Sequence, residues 1–130
     1  MIVIDASAML EVLLVTPTAG RILDRLFSPA ESLHAPQLID LEVAQVLRRY
    51  CLAGDVEPER ARQALADLAD LAVTRYPHLP FLPRIWELRH NVTAYDAAYV
   101  ALAEALEAPL VTGDIRLAGA PGLGATIELI

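Results

Sequence analysis

Residues 93–114 carry the sequence TAYDAAYVALAEALEAPLVTGD, and the organisation of the rest of the chain follows from this stretch. Its first fourteen residues predict a helix, and the segment ending at Thr112 predicts a short buried strand. The helix is rich in alanine and has one stripe of larger apolar side chains, so it can lie against a sheet over a broad face. Asp96 is a charge in this apolar helix, and it therefore needs a capping role, a cationic partner or a metal ion.

Strands and helices alternate along the whole chain. Besides the strand ending at Thr112, strands are predicted at 2–4, 32–35, 73–76 and 126–129, and helices at 6–14, 17–27, 37–52, 58–72, 83–90 and 93–106. Strands that alternate with helices form parallel sheets covered by helices on both faces. The predicted fold is therefore a three-layer α/β/α arrangement around a central parallel sheet of about five strands. A chain of 130 residues is expected to form one domain, residues 1–130.

The composition limits the possible classes of function. Although 55% of the residues are hydrophobic, no apolar run approaches the roughly 18 residues of a membrane helix. The chain opens on a predicted strand without a basic leader, so we expect no secretory signal. Cys51 is the only cysteine, which excludes an internal disulfide and a cysteine metal cluster and fits a reducing cytoplasm. The net charge of −7 argues against nonspecific nucleic-acid binding through a basic face.

Four acidic residues are predicted to meet at one edge of the sheet. Asp5 directly follows the first strand, and Asp114 lies two residues beyond Thr112. In open parallel sheets, functional groups gather beyond the carboxyl ends of the strands, near the point where the strand order reverses. Asp96 precedes the fourth strand by one helix, and Glu42 lies on the helix after the second strand. Both of these side chains can therefore reach the same edge.

Each of these acids also has an ordinary structural interpretation. Asp5 and Asp114 are suited to helix N-caps or turns, a common use of aspartate. Thr93 precedes Asp96 by three residues, which is the spacing of a capping pair. Glu42 has the default interpretation of any single helical glutamate, a solvated position on the helix edge. Taken one at a time, none of the four acids requires a functional explanation.

The four acids together are harder to explain in this way. Carboxylates that meet without a compensating cation repel one another, and their pKa values rise; the chain has no lysine, all ten of its basic side chains being arginine. Oxygen ligands without a histidine or cysteine cluster suit Mg²⁺ or Mn²⁺. Such a metal orients water and neutralises developing charge on phosphates. The residues therefore predict metal-dependent phosphoryl or phosphodiester chemistry, and no phosphate-binding glycine loop or nucleophile elbow offers an alternative.

Four segments, in this order along the chain, resemble the PIN-domain ribonucleases and, more narrowly, the VapC-type toxins of bacterial type II toxin–antitoxin pairs. They are IVIDASA at 2–8, AP through LEV to VLRR within 35–49, TAYDAAYVALA at 93–103 and PLVTGD at 109–114. The resemblance implies a Mg²⁺-dependent endoribonuclease, for which Mn²⁺ is a possible substitute. It implies that Asp5 and Asp96 are the central metal ligands. Glu42 and Asp114 would ligate directly or through water and orient the nucleophile.

The resemblance also implies supporting groups and partners. Ser7 and Thr112, otherwise ordinary cap and strand residues, would supply supporting hydroxyl groups. A homodimer and a VapB-like antitoxin that blocks the active site are implied as well. Some relatives carry a further acid shortly after the position of Asp114, where this chain has Arg116. That arginine is a candidate for contact with the RNA phosphate.

Two further residues, Arg89 and Asn91, are candidates for substrate contact, although a solvated arginine and a loop asparagine are the ordinary interpretations. The RNA itself is expected to be of the transfer or ribosomal class, cut in a single strand or loop.

Other classes of function fit the sequence less well. A receiver-type phosphoacceptor domain needs a lysine near the last strands. A haloacid-dehalogenase-like phosphatase needs a second aspartate where this chain has Ser7, and a lysine after it. The chain contains no lysine. The remaining alternative is a catalytically inert PIN-like module that binds a protein or an RNA–protein partner, which would normally have lost one or more of the four acids.

Overall fold

The computed structural model describes all 130 residues. Its five strands are β1 (Ile2–Ile4), β2 (Leu33–Pro36), β3 (Val73–Tyr76), β4 (Leu110–Thr112) and β5 (Ile127–Leu129). They form one sheet in the order β3-β2-β1-β4-β5, and every neighbouring pair is parallel. The predicted parallel sheet of about five strands is therefore confirmed.

Helices cover both faces of this sheet. They are α1 (Ala6–Leu13), α2 (Leu23–Leu26), α3 (Ile39–Leu52), α4 (Pro58–Asp70), α5 (Leu82–Glu87), α6 (Ala94–Leu106) and α7 (Ile115–Ala118). The first three strands add in one direction and the last two in the other, so right-handed crossovers put α1 to α4 on one face and α5 to α7 on the opposite face. Consistent with this, α3 packs on α1 and α4, whereas α6 packs on α5 and crosses β1, β2 and β4. None of these helices has the length and apolar character that crossing a membrane requires.

The core lies on both sides of the two central strands. The three residues of β1 are completely buried, and β4 is buried along its length. Helix α6 is buried over seven consecutive residues, 97–103. Four of these seven are alanine, whose small side chain lets the helix backbone approach the sheet closely. The helix is buried over most of its surface, which is why its sequence is apolar on nearly all sides.

The predicted helix at 17–27 is wrong in its extent. The segment instead forms a short 3₁₀ turn at Ala19–Arg21 followed by the single turn of α2. Gly20 stands inside the predicted helix, where glycine costs about 1 kcal/mol relative to alanine. Phe27, the last residue of the predicted helix, is 50% exposed. The amphipathic pattern was therefore too weak to hold a continuous helix against the glycine.

The strand order reverses between β1 and β4, and these two strands end at the same level of the sheet. Val3 lies opposite Leu110 and Ile4 opposite Val111. The pairing continues one step further, because the Asp5 backbone N–H donates to the Val111 carbonyl at 3.1 Å. The residue after β1 is thereby held beside the last residue of β4. This point of the sheet edge is where the candidate site lies.

Candidate active site

The Asp5 carboxylate is held by hydrogen bonds on both of its oxygens. Asp5 is the N-cap of α1, and its Oδ1 accepts from the Ala8 backbone N–H at 2.9 Å and from the Ser7 hydroxyl at 2.6 Å. Its Oδ2 accepts from the Thr112 hydroxyl of β4. Only 6% of Asp5 is exposed. The capping interpretation is thus correct for Asp5, but the cap also fixes a buried carboxylate in one orientation at the floor of the site.

Ser7 and Thr112 connect the loop after β4 to the same carboxylate. The Ser7 Oγ accepts from the Gly113 N–H at 2.8 Å, and the Thr112 Oγ1 accepts from the Asp114 N–H at 3.0 Å. A Cβ at Gly113 would come within 3.3 Å of the Ser7 Oγ, so a side chain at this position would push the Ser7 hydroxyl aside by a few tenths of an ångström. Both hydroxyl groups therefore hold the two strand ends together around Asp5.

Asp114 and Asp96 each lie at the start of a helix. Asp114 is the N-cap of α7, where its Oδ1 accepts from the Arg116 backbone N–H at 2.8 Å. Asp96 lies in the first turn of α6, and its N–H donates to the Thr93 hydroxyl at 3.2 Å. The ordinary capping interpretations are again correct. In both cases the helix start also directs the carboxylate toward the sheet edge that carries Asp5.

Glu42 is held by a buried tyrosine on a helix from the opposite face of the sheet. The Tyr99 hydroxyl of α6 donates to the Glu42 Oε1 at 2.6 Å, and Tyr99 is only 1% exposed. Glu42 is half-buried in the first turn of α3. Its interpretation as a solvated helix residue is therefore wrong, because a specific buried donor fixes one of its two oxygens.

The four carboxylates line one cleft of about 470 Å³. Its lining includes Asp5, Ser7, Leu10, Glu11, Glu42, Val46, Arg49, Tyr50, Asp96, Tyr99, Asp114 and Arg116. The sheet edge predicted from the ends of β1 and β4 thus brings all four predicted acids to one opening. A fifth carboxylate, Glu11, also lines the cleft and accepts a hydrogen bond from the Thr16 hydroxyl.

Burial and mutual repulsion raise the pKa of three of these acids. The pKa of Asp5 is raised by desolvation above all, and the charge of Asp114 adds to this against the hydrogen bonds that lower it. Desolvation also raises the pKa of Glu42, and the charges of Asp96 and Asp5 contribute. The pKa of Asp96 is raised by desolvation and by Asp114 and Asp5. The cluster therefore holds more negative charge than its surroundings compensate.

The cations near the cluster do not neutralise it. Arg116 has its Nε 3.7 Å from the Asp114 Oδ1, but 94% of its side chain is exposed. Arg49 lines the cleft and forms no ion pair with any carboxylate of the chain. The exposed pair of Arg116 with Asp114 contributes little to stability. The negative charge of the cleft thus remains available to an external cation.

The donor set fits a hard divalent cation in type and charge. All the candidate ligands are carboxylate oxygens, which Mg²⁺ and Mn²⁺ prefer. As the side chains stand, no group of three or more histidine, cysteine, aspartate or glutamate residues is arranged to hold a metal ion. Mg²⁺ does not require such a group, because it is usually bound through one or two carboxylates and keeps several of its waters. The arrangement therefore suits an ion bound by few carboxylates, with the others reaching its waters.

The histidines take no part in the site. His34 is buried on β2, where its ring nitrogens lie 2.8 Å from the Ser32 hydroxyl and 2.8 Å from the Tyr76 hydroxyl. His78 and His90 are exposed. The three histidines are therefore surface or hydrogen-bonded residues.

Arg89 and Asn91 lie outside the cleft lining. The Arg89 guanidinium stacks on Trp86 at 4.9 Å from the ring centroid and donates to its carbonyl. The Asn91 amide donates to the Pro121 carbonyl at 2.7 Å. The structure gives both side chains local structural partners, and their contact with substrate stays a prediction.

Tyr99 and Arg49 are cleft residues whose positions the sequence did not reveal. Tyr99 belongs to the apolar stripe of α6, and that pattern indicates burial without indicating that its hydroxyl meets Glu42. Arg49 stands on the polar side of α3, where nothing in the sequence distinguishes it from its neighbour Arg48. Neither Arg48 nor Arg49 has a carboxylate three or four residues away on the helix, and this absence of a helical ion-pair partner was the only sign in the sequence that either arginine could be free to bind a ligand.

Comparison with known proteins identifies relatives over nearly the whole chain. The PIN domain family model matches residues 2–123. Ribonuclease VapC1 of Mycobacterium tuberculosis is 47% identical over 129 residues, which cover 98% of this chain and 96% of the relative. Ribonuclease VapC9 of the same organism is 49% identical over 117 residues, covering 90% of this chain and 88% of the relative. The crystal structure of VapBC2 from Rickettsia felis bound to a promoter DNA fragment includes a chain similar in fold, with a TM-score of 0.71, 14% identity and coverage of 99% and 98%.

Proposed function

Because this chain belongs to the PIN-domain family, as a VapC-type member, we propose that it is an endoribonuclease that depends on Mg²⁺, with Mn²⁺ as a possible substitute. It hydrolyses RNA phosphodiester bonds with water as the nucleophile. The observation that carries this proposal is the cleft in which Asp5, Glu42, Asp96 and Asp114 meet without a neutralising cation. Two relatives that are 47–49% identical bear the name ribonuclease, which supports the same activity.

We propose that Asp5 and Asp96 hold the metal ion and that Glu42 and Asp114 bind it directly or through its waters. When bound, the ion neutralises charge on the phosphate and makes a bound water more acidic. Desolvation, together with the mutual repulsion of the acids, raises their pKa values, and the charge of a divalent cation would offset both effects and favour the ionised carboxylates. It also accounts for a cleft that contains buried carboxylates and no lysine.

The remaining groups of the chain prepare the site for this reaction. Ser7 and Thr112 fix the Asp5 carboxylate, so that it does not have to reorganise when the cation binds. The Tyr99 hydroxyl leaves one Glu42 oxygen free to accept a hydrogen bond from the attacking water. Arg116, exposed at the rim, attracts the RNA phosphate locally against the unfavourable net charge of the chain.

The proposed partners follow from the VapC-type character of the chain. We propose that the RNA substrate is of the transfer or ribosomal class, and that a VapB-like antitoxin neutralises the enzyme by occupying the acidic cleft. A homodimer and a cytoplasmic location complete the proposal. A single cysteine, which needs no oxidising compartment, supports the last point.

Cleavage of a mixed pool of transfer and ribosomal RNA by the purified protein tests the proposed function. The pool is incubated with wild type, Asp96→Asn and Asp55→Asn in Mg²⁺, in Mn²⁺ and in a chelator. Asp55 is the matched control, because it is an exposed aspartate in the turn after α3, away from the cleft. We expect defined cleavage by wild type and Asp55→Asn in metal only, and none by Asp96→Asn. If all three proteins are equally inert, the chain is a PIN-like binding module and the proposal is wrong.

A further inference from the structure

A second groove continues from the acidic cleft and differs from it in character. Its volume is about 380 Å³, within the range of about 300–1,000 Å³ usual for ligand pockets. It is lined by Leu38, Leu41, Gln45, Val46, Arg49 and Tyr95, together with Glu42. Glu42, Val46 and Arg49 also line the acidic cleft. The two depressions therefore share one wall, formed by α3.

Two large apolar side chains of this groove are unusually exposed. Leu41 is 76% exposed and Tyr95 is 67% exposed. They stand on different helices, α3 and α6, and both line the same depression. The Tyr95 hydroxyl makes no hydrogen bond within the chain and its ring makes no aromatic contact. The ring also borders a smaller apolar depression lined by Leu38 and Leu82. The groove thus presents an uncovered aromatic face directly beside the catalytic acids.

The rim of the groove carries one amide and one positively charged side chain. Arg49 is exposed and free of ion pairs, and Gln45, one helical turn before it, is exposed as well. One arginine, one amide and one aromatic face are the groups that bind single-stranded nucleic acid: the arginine contacts phosphate, the amide bonds to a base edge, and the ring stacks on the base. Arg49 also lines the acidic cleft, so it can contact a phosphate of the same strand whose cleaved bond lies over the four acids.

We infer that this groove receives the nucleobase next to the cleaved phosphodiester, with the base stacked on Tyr95 and the adjoining phosphate bound by Arg49. The inference rests on the proposed nuclease function and specifies how the substrate is held. Continuity with the acidic cleft decides the occupant, because an RNA strand whose phosphate lies over the four acids has its neighbouring base within reach of the shared α3 wall. Stacking on an unpaired ring requires an unpaired base, so the groove selects single-stranded or loop RNA.

The test uses one short single-stranded RNA that the wild-type protein cleaves at a known bond. Values of kcat/KM are measured for wild type, Tyr95→Ala, Tyr95→Phe and Phe27→Ala. Phe27 is the matched control, an aromatic residue that is 50% exposed and lines neither depression. We expect Tyr95→Ala to lower kcat/KM by roughly 5- to 150-fold, the range for stacking one base on one ring. Tyr95→Phe and Phe27→Ala should stay within about twofold of wild type, since an exposed hydroxyl and a distant ring contribute nothing to stacking.

A second set of substrates identifies the base that stacks. Each position near the cleaved bond is replaced in turn by an abasic nucleotide. At one position the abasic substitution should cost the wild-type protein as much as Tyr95→Ala does, and the two changes together should cost no more than either alone. Additive costs at every position would overturn the inference.

The outcomes separate this inference from the proposed function. If wild type does not cleave RNA, the nuclease proposal fails before the groove is tested. If wild type cleaves and Tyr95→Ala cleaves equally well, only the groove assignment is wrong. Sedimentation of the same variants shows whether the groove instead binds a second copy of the chain: a change in oligomeric state on Tyr95→Ala with unchanged cleavage would contradict the inference.

Discussion

The effect of Asp96→Asn on the stability of the protein is expected to have opposite signs without and with Mg²⁺. Without metal, the variant should unfold at a higher temperature than wild type. Asp96 is half-buried, and desolvation, followed by the charges of Asp114 and Asp5, raises its pKa. Asparagine keeps the size and the backbone hydrogen bond to Thr93 but removes one charge from this repulsive group. With Mg²⁺ the order should invert, because wild type binds the ion more tightly than the variant.

The expected size of each effect follows from the structure. Removing the repulsion is opposed by the loss of a favourable helix-dipole interaction of about 0.3–1 kcal/mol in the first turn of α6. We expect a net stabilisation of about 0.5–1 kcal/mol, common when charge is removed from an active site. Unfolding entropy of about 2.1 cal/mol/K per residue converts this to about 2–4 °C for the chain. Mg²⁺ at a hundredfold excess over its Kd should stabilise wild type by about 2.7 kcal/mol, or about 10 °C.

Scanning calorimetry in a chelator and in Mg²⁺ measures both effects on the same proteins. Asp55→Asn serves as the matched control and should follow wild type in each buffer, because Asp55 is exposed and lies outside the cleft. The reasoning is refuted if Asp96→Asn is less stable than wild type in the chelator. It is equally refuted if Mg²⁺ raises the Tm of both proteins by the same amount.

Three further changes test how the site and its surroundings are held. Thr112→Val keeps nearly the same side-chain shape but removes the donor to a buried Asp5 oxygen, so it should destabilise the protein by about 1.5–3 kcal/mol in urea denaturation. An unchanged midpoint would show that the Thr112 hydroxyl does not stabilise the Asp5 carboxylate. Tyr99→Phe removes the hydrogen bond to Glu42 and should lower the free energy of unfolding by about 1 kcal/mol and also lower kcat for RNA cleavage. A higher KM with unchanged kcat would argue against the positioning role of Tyr99. Glu104 makes a two-point contact with Arg84 that joins α6 to α5, so Glu104→Gln should lower the free energy of unfolding by about 1–2 kcal/mol at pH 7. The matched control is Glu59→Gln, in the exposed pair with Arg62, which should leave the Tm unchanged. The Arg84 hydrogen bond holds the pKa of Glu104 below its ordinary 4.5, so the Glu104 contribution is complete above pH 4.5 and is lost as pH falls through the folded-state pKa; a Tm difference that persists undiminished at pH 3 would contradict this assignment.

Much of the sheet and the four acids could be predicted from local sequence. The strands are short apolar runs, and a residue that follows such a run lies at the carboxyl edge of a parallel sheet whatever the rest of the fold does. Asp5 and Asp114 follow from this rule alone. Asp96 follows from its place at the start of a helix that is otherwise apolar. These predictions needed only the direction of the chain and the period of its apolar residues.

The details that depend on contacts between distant segments could not be predicted. Tyr99 and Glu42 are separated by 57 positions along the chain, and the apolar period of α6 marks the tyrosine only as buried. Tyr50, near the end of α3, is exposed at 36% and lines the cleft, although its large aromatic ring suits a buried position. Which end of a helix stripe faces a cleft depends on how the helix crosses the sheet. The break in the segment at 17–27 likewise depends on the balance between packing and the propensity of one glycine.

Binding of Mn²⁺, followed by the electron paramagnetic resonance signal of the free ion, tests most directly whether the four carboxylates form a metal site. Wild type and Asp55→Asn should each remove at least one Mn²⁺ per chain from solution with the same affinity. Asp96→Asn should bind at least about tenfold more weakly, since a ligand and its charge are gone. If wild type removes no Mn²⁺, or if Asp96→Asn binds it as tightly as wild type, the carboxylates of this cleft are not the metal site.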